Sequence, residues 1–273
     1  VTSANIFNDP TSYQKFIAKL YAGLAVGGET SGDGNTDIQG IDGGFSQYLR
    51  LYWEMEELPT DEAVLAWGDI GIPDMNKQTW NAFNVFPQSM YYRVFFQAAM
   101  ANEFLRETTD DKLAARGVSA ALKTNIQQYR AEARFLRALS YWHGLDLFGD
   151  IPLVTEADPV GGSPPAQSTR AAIYAYVVKE LTEIQSQLPA PGASTYGRAT
   201  GPAANMLLAK LYLNAGVYTG TPDYAHALAA AQAVINSGAY SLDPNFRHMF
   251  QADNNTSPEI IFAITQDGLR TQT

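Results

Sequence analysis

Apolar residues recur at intervals of three and four along much of the chain, the period of helices that bury one face. Residues 10–26 carry this pattern first, with Tyr13, Phe16, Ile17, Leu20, Tyr21 and Leu24 on one side and Ser12 placed to cap the start. Eight glycines between Gly23 and Gly44 then predict a loop. Helix resumes over about 46–58 and breaks at Pro59-Thr60-Asp61-Glu62. Segment 63–88 has no helical period and holds two tryptophans, Trp67 and Trp80. The next helix is predicted over 89–107, with Tyr92, Phe95, Phe96, Met100 and Leu105 on or near one face. The strongest pattern covers 124–148, where Gly149-Asp150-Ile151-Pro152 ends it sharply.

A Pro/Gly-rich loop over 156–167 leads into three further predicted helices at about 169–188, 201–216 and 222–237. The last two read as a hairpin. Ala203, Ala204, Ala209, Ala215, Ala225, Ala227, Ala230 and Ala231 let helix axes approach, and Leu208, Tyr212, Leu228 and Ile235 are expected to fill the spaces between. Small residues facing large ones across a helical pair are the pattern of tetratricopeptide-like repeats. The pair 124–148 with 169–188 has the same form around a longer insertion. After Ser241 the chain reads as extended, and 259–264 predicts a buried strand. The expected fold is mainly α: tetratricopeptide-like hairpins with long irregular loops and little strand. Residues 1–273 form one region whose fold is expected to continue past Thr273.

Composition narrows the function. Hydrophobic residues make up 46% and charged residues 17%, as in a folded globular chain. No apolar run approaches the ~18 residues of a membrane span. The net charge of −10 and only 18 scattered Lys and Arg argue against nucleic acid as a partner. With no cysteine, the chain has no disulfide, thiolate metal site or cysteine nucleophile. It begins at Val1 without an initiator Met or a signal peptide, as expected of a processed or trimmed N-terminus.

Catalytic motifs do not stand out. No His-Glu-x-x-His, Gly-x-Ser-x-Gly or phosphate-cradling Gly-Lys-Ser/Thr pattern is present. Gly32-Asp33-Gly34 starts like a dinucleotide fingerprint but lacks its third glycine and preceding strand. Asp33-Gly34-Asn35-Thr36-Asp37 echoes half of a calcium loop, yet Ile38 and Gly44 stand where glycine and glutamate are required, so a polar turn is the better reading. His143, His226 and His248 have no metal-ligand spacing and read as packing or surface residues. Glu54, Glu56, Glu57, Asp61 and Glu62 would supply carboxylates to a glycosidase, but such a cluster at a helix end reads as a solvated face. The expectation is a non-enzyme without cofactor or metal.

Two long landmarks change the picture. Tyr129-Arg130-Ala131-Glu132-Ala133-Arg134-Phe135-Leu136-Arg137-Ala138-Leu139-Ser140-Tyr141-Trp142, continued by Leu145-Asp146-Leu147-Phe148-Gly149-Asp150-Ile151-Pro152, closely resembles the signature helix of the SusD/RagB family. Gly197-Arg198-Ala199-Thr200 leading into Ala203 through Tyr212 resembles another of its landmarks, as do Leu58-Pro59-Thr60-Asp61-Glu62-Ala63 and Met90-Tyr91-Tyr92-Arg93 running to Asn102-Glu103-Phe104-Leu105. The resemblance is to the N-terminal half of that family. It implies a lipoprotein on the outer face of an outer membrane, held only by a lipid on a Cys preceding Val1. It also implies capture of an oligosaccharide, or a peptide in some branches, for a SusC-like TonB-dependent transporter, with no bond made or broken.

Sugar recognition needs flat aromatic faces for the C–H faces of a pyranose and polar groups for its hydroxyls. Trp67 and Trp80, beside Asp69, Asp74, Asn76 and Asn81, are the candidates in the irregular segment. The resemblance to the starch-binding branch favours Trp67 as part of a ligand-holding aromatic arc and adds Asp42 and Arg50 as polar contacts. Against these stand plainer readings: core anchors for Trp67 and Trp80, a loop brace for Asp42, and for Arg50 a surface ion pair worth under ~1 kcal/mol. Trp53 and Trp142 read as core, and Arg130, Arg134 and Arg137 as ion-pair partners around Glu132. A tetratricopeptide-type peptide-binding scaffold and a glycoside hydrolase remain the alternatives.

Overall fold

A computed structural model describes residues 3–29, 36–192, 196–269 and 271. Helices dominate it: α1 (Ser3–Ile6), α2 (Ser12–Ala25), α3 (Tyr48–Glu57), α4 (Ile72–Asn76), α5 (Val85–Glu107), α6 (Asp110–Ala115) and α7 (Ala120–Phe148). After a two-residue antiparallel pair, β1 (Ile151–Pro152) with β2 (Gln167–Ser168), come α8 (Arg170–Ile184), α9 (Gly201–Leu213), α10 (Ala215–Thr219) and α11 (Tyr224–Asn236). The mainly helical, strand-poor architecture follows the sequence pattern.

Helix α7 is the axis of the packing, with α2, α5, α8 and α9 all against it. Ser119 starts it by accepting a hydrogen bond from the Leu122 amide, and Gly149 ends it at φ 76°, a left-handed conformation that glycine adopts without strain. Between Ala131 and Leu145 nearly every side chain is buried, polar ones included. Close approach depends on small residues. A Cβ on Gly144 would lie 2.8 Å from Ile151, and one on Gly23 of α2 only 2.5 Å from Oε1 of Gln97 on α5. Gly23 therefore belongs to a helix contact and not to the glycine loop predicted from it.

The buried charges are paired across elements. Arg134 and Arg137 both bond Glu180 of α8, and Arg137, 1% exposed, also reaches Asn102 and Glu156. Burial alone would raise the Glu180 carboxyl, but the two guanidiniums reverse this and hold it below the ordinary carboxylate range. Glu132 pairs with no arginine of its own helix. It accepts from Tyr21 at 2.6 Å and from Arg198 Nε at 2.9 Å, tying α2 and the Gly197-Arg198 landmark to α7. Arg130 turns instead to the Leu105 carbonyl and Thr108 Oγ1.

Other expectations fail for identifiable reasons. Ser12 is the first helical residue, and Thr11 stands at the cap with its hydroxyl bonded back to Asp9 and not to the helix amides. Helix α5 begins at Val85, four residues early, because Asn84 caps it. Segment 259–264 forms no strand among the described residues: no neighbour supplies a ladder, and Ile261, Phe262 and Ile264 pack singly on the core, Phe262 at 5.2 Å from Phe135. In the α9–α11 hairpin, Ala227, Ala230 and Val234 face inward, whereas Leu228 and Ile235 are exposed and fill no space. The run 32–35, which holds the dinucleotide-like pattern and the start of the calcium-like one, lies outside the described residues. Asp37 beside it is an ion-pair partner of Lys19 at 2.8 Å. Among the described residues no helix is long and apolar enough to cross a membrane.

Candidate functional site

The candidate site forms where the loop before α3, the exposed side of α3 and the irregular segment after it meet. Arg93 of α5 fixes the first loop. Its buried guanidinium donates to the carbonyls of Gly27 and Ser46 at 2.8 and 2.5 Å. Gln47 closes the turn on Gly43 O at 2.9 Å. Exposed Asp42 then accepts from the Gly44 amide at 2.6 Å, so it does brace the glycine loop, as the plainer reading held.

Arg50 joins the three parts. Its Nε donates to Glu54 Oε1 at 3.0 Å, its Nη1 to Gly44 O at 2.9 Å, and its guanidinium carbon lies 5.2 Å from the centre of the Trp67 ring. Arg50, Asp42 and Trp67 are thus brought together. Trp67 is 56% exposed, which removes the core-anchor reading for it. Its segment is held at the far end by Asn84, which donates to Gly71 O at 3.0 Å while capping α5. Asp42 also lines a cavity of about 290 Å³ together with Ile41, Phe45, Asp69, Ile70 and Gln88; neither Trp67 nor Arg50 lines it.

Trp80 and Asn76 do not join this group through any hydrogen bond or ring contact. Trp80 is 41% exposed, against the core reading. Asn76 donates to the Leu58 carbonyl at 3.4 Å and braces α4 against the end of α3.

Sequence reasoning missed two neighbours. Trp53, read as core, is 46% exposed, one helical turn from Arg50 on the same side of α3. Glu54, read as part of a solvated face, is 1% exposed. Burial raises its pKa against the opposing pull of Arg50, and Asp69 adds to the rise. The signal for Glu54 was available: Arg50 and Glu54 stand four apart, the spacing of a helical ion pair.

The histidines lie elsewhere. His143 is buried between Tyr48 and Tyr52, and His226 and His248 pair with Asp223 and Asp243. Trp142 is buried as expected. Among the described residues, no three His, Asp or Glu side chains converge as metal ligands do.

The group combines an exposed indole, a guanidinium held against it and the exposed carboxylate of Asp42. Residues 51–213 match a SusD-like family described as "Starch-binding associating with outer membrane". The starch-binding protein SusD of Bacteroides thetaiotaomicron is 38% identical over 264 residues, 95% of this chain and 45% of that protein. The chain belongs to the SusD family. A SusD-like carbohydrate-binding protein of Bacteroides fragilis shares the fold at a TM-score of 0.71 and 20% identity, covering 94% of this chain and 46% of that one. A SusD superfamily protein of Bacteroides vulgatus does so at 0.72 and 21%, covering 94% and 50%. The chain thus spans about half the length of the relatives it matches.

Proposed function

We propose that this protein is a glycan-binding protein of the outer-membrane surface that captures a neutral oligosaccharide on Trp67 and bonds its hydroxyls through Arg50 and Asp42. The observation that carries this is the exposed indole backed by a guanidinium at 5.2 Å. An α-glucan is the favoured ligand, because the relative at 38% identity is named for starch binding. Trp80, exposed outside this group, and Asn76 are secondary candidates for ligand contact. In this reading the protein makes and breaks no bond, is held to the membrane by a lipid and hands its ligand to a SusC-like TonB-dependent transporter. Residues 1–273 then act as one SusD-like region, with helical pairs near 124–188 and 201–237.

Affinity electrophoresis of the intact protein in gels containing amylopectin tests the binding step. Retardation is expected for the wild type and its loss for Trp67→Ala, at about 2 kcal/mol or roughly thirtyfold for an aromatic anchor. Equal migration of both proteins, with and without the polysaccharide, rejects the reading. Release of shorter oligosaccharides by pure protein rejects its non-enzymatic part.

A further inference from the structure

We propose that Glu54 is a positioning residue of this site: its carboxylate holds the Arg50 guanidinium under the Trp67 indole, so that the ring stands presented to a sugar. The inference rests on the glycan reading above and deepens it.

Trp67 needs such support. It lies in a stretch without helix or strand hydrogen bonding, and its indole makes no hydrogen bond or ring–ring contact with a described residue. What faces the ring is Arg50, at 5.2 Å. An arginine is a long side chain that loses much rotamer freedom when fixed. Here two bonds fix it: Nη1 to the Gly44 carbonyl and Nε to Glu54 Oε1. Nη2 bonds no described residue, which leaves a donor free for a ligand hydroxyl.

Glu54 has no other evident task. A buried carboxylate destabilises a fold unless it is well paired. This one is 1% exposed, its single hydrogen bond goes to Arg50, and its second oxygen is buried without a partner. An exposed pair four apart on a helix contributes little, but burial of one partner strengthens a charge-assisted bond and fixes its direction. The chain of contacts runs from Glu54 through Arg50 to Trp67, with Gly44 and Asp42 on the other branch.

The test is calorimetric titration with maltoheptaose of the wild type, Trp67→Ala, Glu54→Ala, Glu54→Gln, Arg50→Ala and the Arg50→Ala/Glu54→Ala double variant. Glu54→Ala is expected to weaken binding by about tenfold, and Glu54→Gln, which keeps an oxygen facing Nε, to restore most of it. The double variant is expected to bind like Arg50→Ala alone, because Glu54 acts through Arg50. That comparison also decides the matter if Glu54→Ala fails to fold, since the double variant leaves no stranded cation. Losses that simply add, or wild-type affinity in Glu54→Ala while Trp67→Ala is impaired, overturn the positioning role alone. Wild-type affinity in Trp67→Ala overturns the glycan reading and the positioning role with it.

Discussion

His143 is expected to make the fold sensitive to mild acid. Its imidazole is buried in α7, tilted against the Tyr52 ring at 4.1 Å between centres, with Nδ1 at 2.9 Å from the Tyr48 hydroxyl. Burial raises the pKa of that tyrosine, so its hydroxyl stays protonated and neutral beside the ring. Burial, with a smaller repulsion from Lys210, pushes the His143 pKa down from 6.5 to about 3. A folded-state pKa below the unfolded one means that the unfolded chain binds a proton first as the pH falls. The stabilisation from neutral His143 is complete above 6.5 and declines continuously from there toward 3. At about pH 5 the difference amounts to about 2 kcal/mol, or roughly 5 °C in Tm. Urea denaturation of the wild type and His143→Gln at a series of pH values measures it. The glutamine keeps a hydrogen-bonding side chain beside Tyr48 but cannot titrate, and His248, whose pKa its bond to Asp243 raises, contributes equally to both curves. The wild type is expected to lose about 2 kcal/mol more than the variant between about pH 7.5 and 5. Parallel curves would refute the reasoning.

Further perturbations probe the packing. Glu180→Ala removes the carboxylate shared by Arg134 and Arg137, leaving Arg137 its bonds to Asn102 and Glu156, and is expected to cost about 2–3 kcal/mol in urea denaturation; a loss under about 1 kcal/mol would mean that the shared pairing contributes little to stability. Glu107, Glu156 and Glu180 all titrate below the ordinary range, so a second acid loss should begin as the pH falls below about 4.5 and be smaller in Glu180→Gln. Asn84→Ala removes both the cap of α5 and the donor to Gly71 O, for about 1–2 kcal/mol, and should speed proteolysis of the Trp67 segment before global unfolding. Gly23→Ala drives a methyl into Gln97 and is expected to cost about 1–3 kcal/mol, less in a Gln97→Ala background; equal costs in both would locate the strain elsewhere.

Much of the fold was readable in advance, because helix formation is local. The three-and-four period located α2, α3, α7, α8, α9 and α11, and the landmarks around Glu132 and Arg198 carried the family. The structure shows why those residues mark it: they clamp one another. The candidate trio of Asp42, Arg50 and Trp67 was also named from sequence, through the resemblance and the aromatic content of an aperiodic segment.

Sidedness was not readable where apolar residues surround a helix. On α3, Tyr48, Leu51, Tyr52, Trp53 and Met55 point in most directions, and the helices packed against it, α5 foremost, decide that Glu54 turns inward and Trp53 out. On α11, the approach of α9 selects Ala227, Ala230 and Val234 and leaves Leu228 in solvent. The apolar run at 259–264 carries strand propensity, but a strand exists only where a second backbone completes its hydrogen bonds. Period and propensity belong to neighbours along the chain, and so the sequence sets them. Which face is buried, which carboxylate loses its water and which indole keeps it depend on what packs alongside, and that is settled only when the helices assemble.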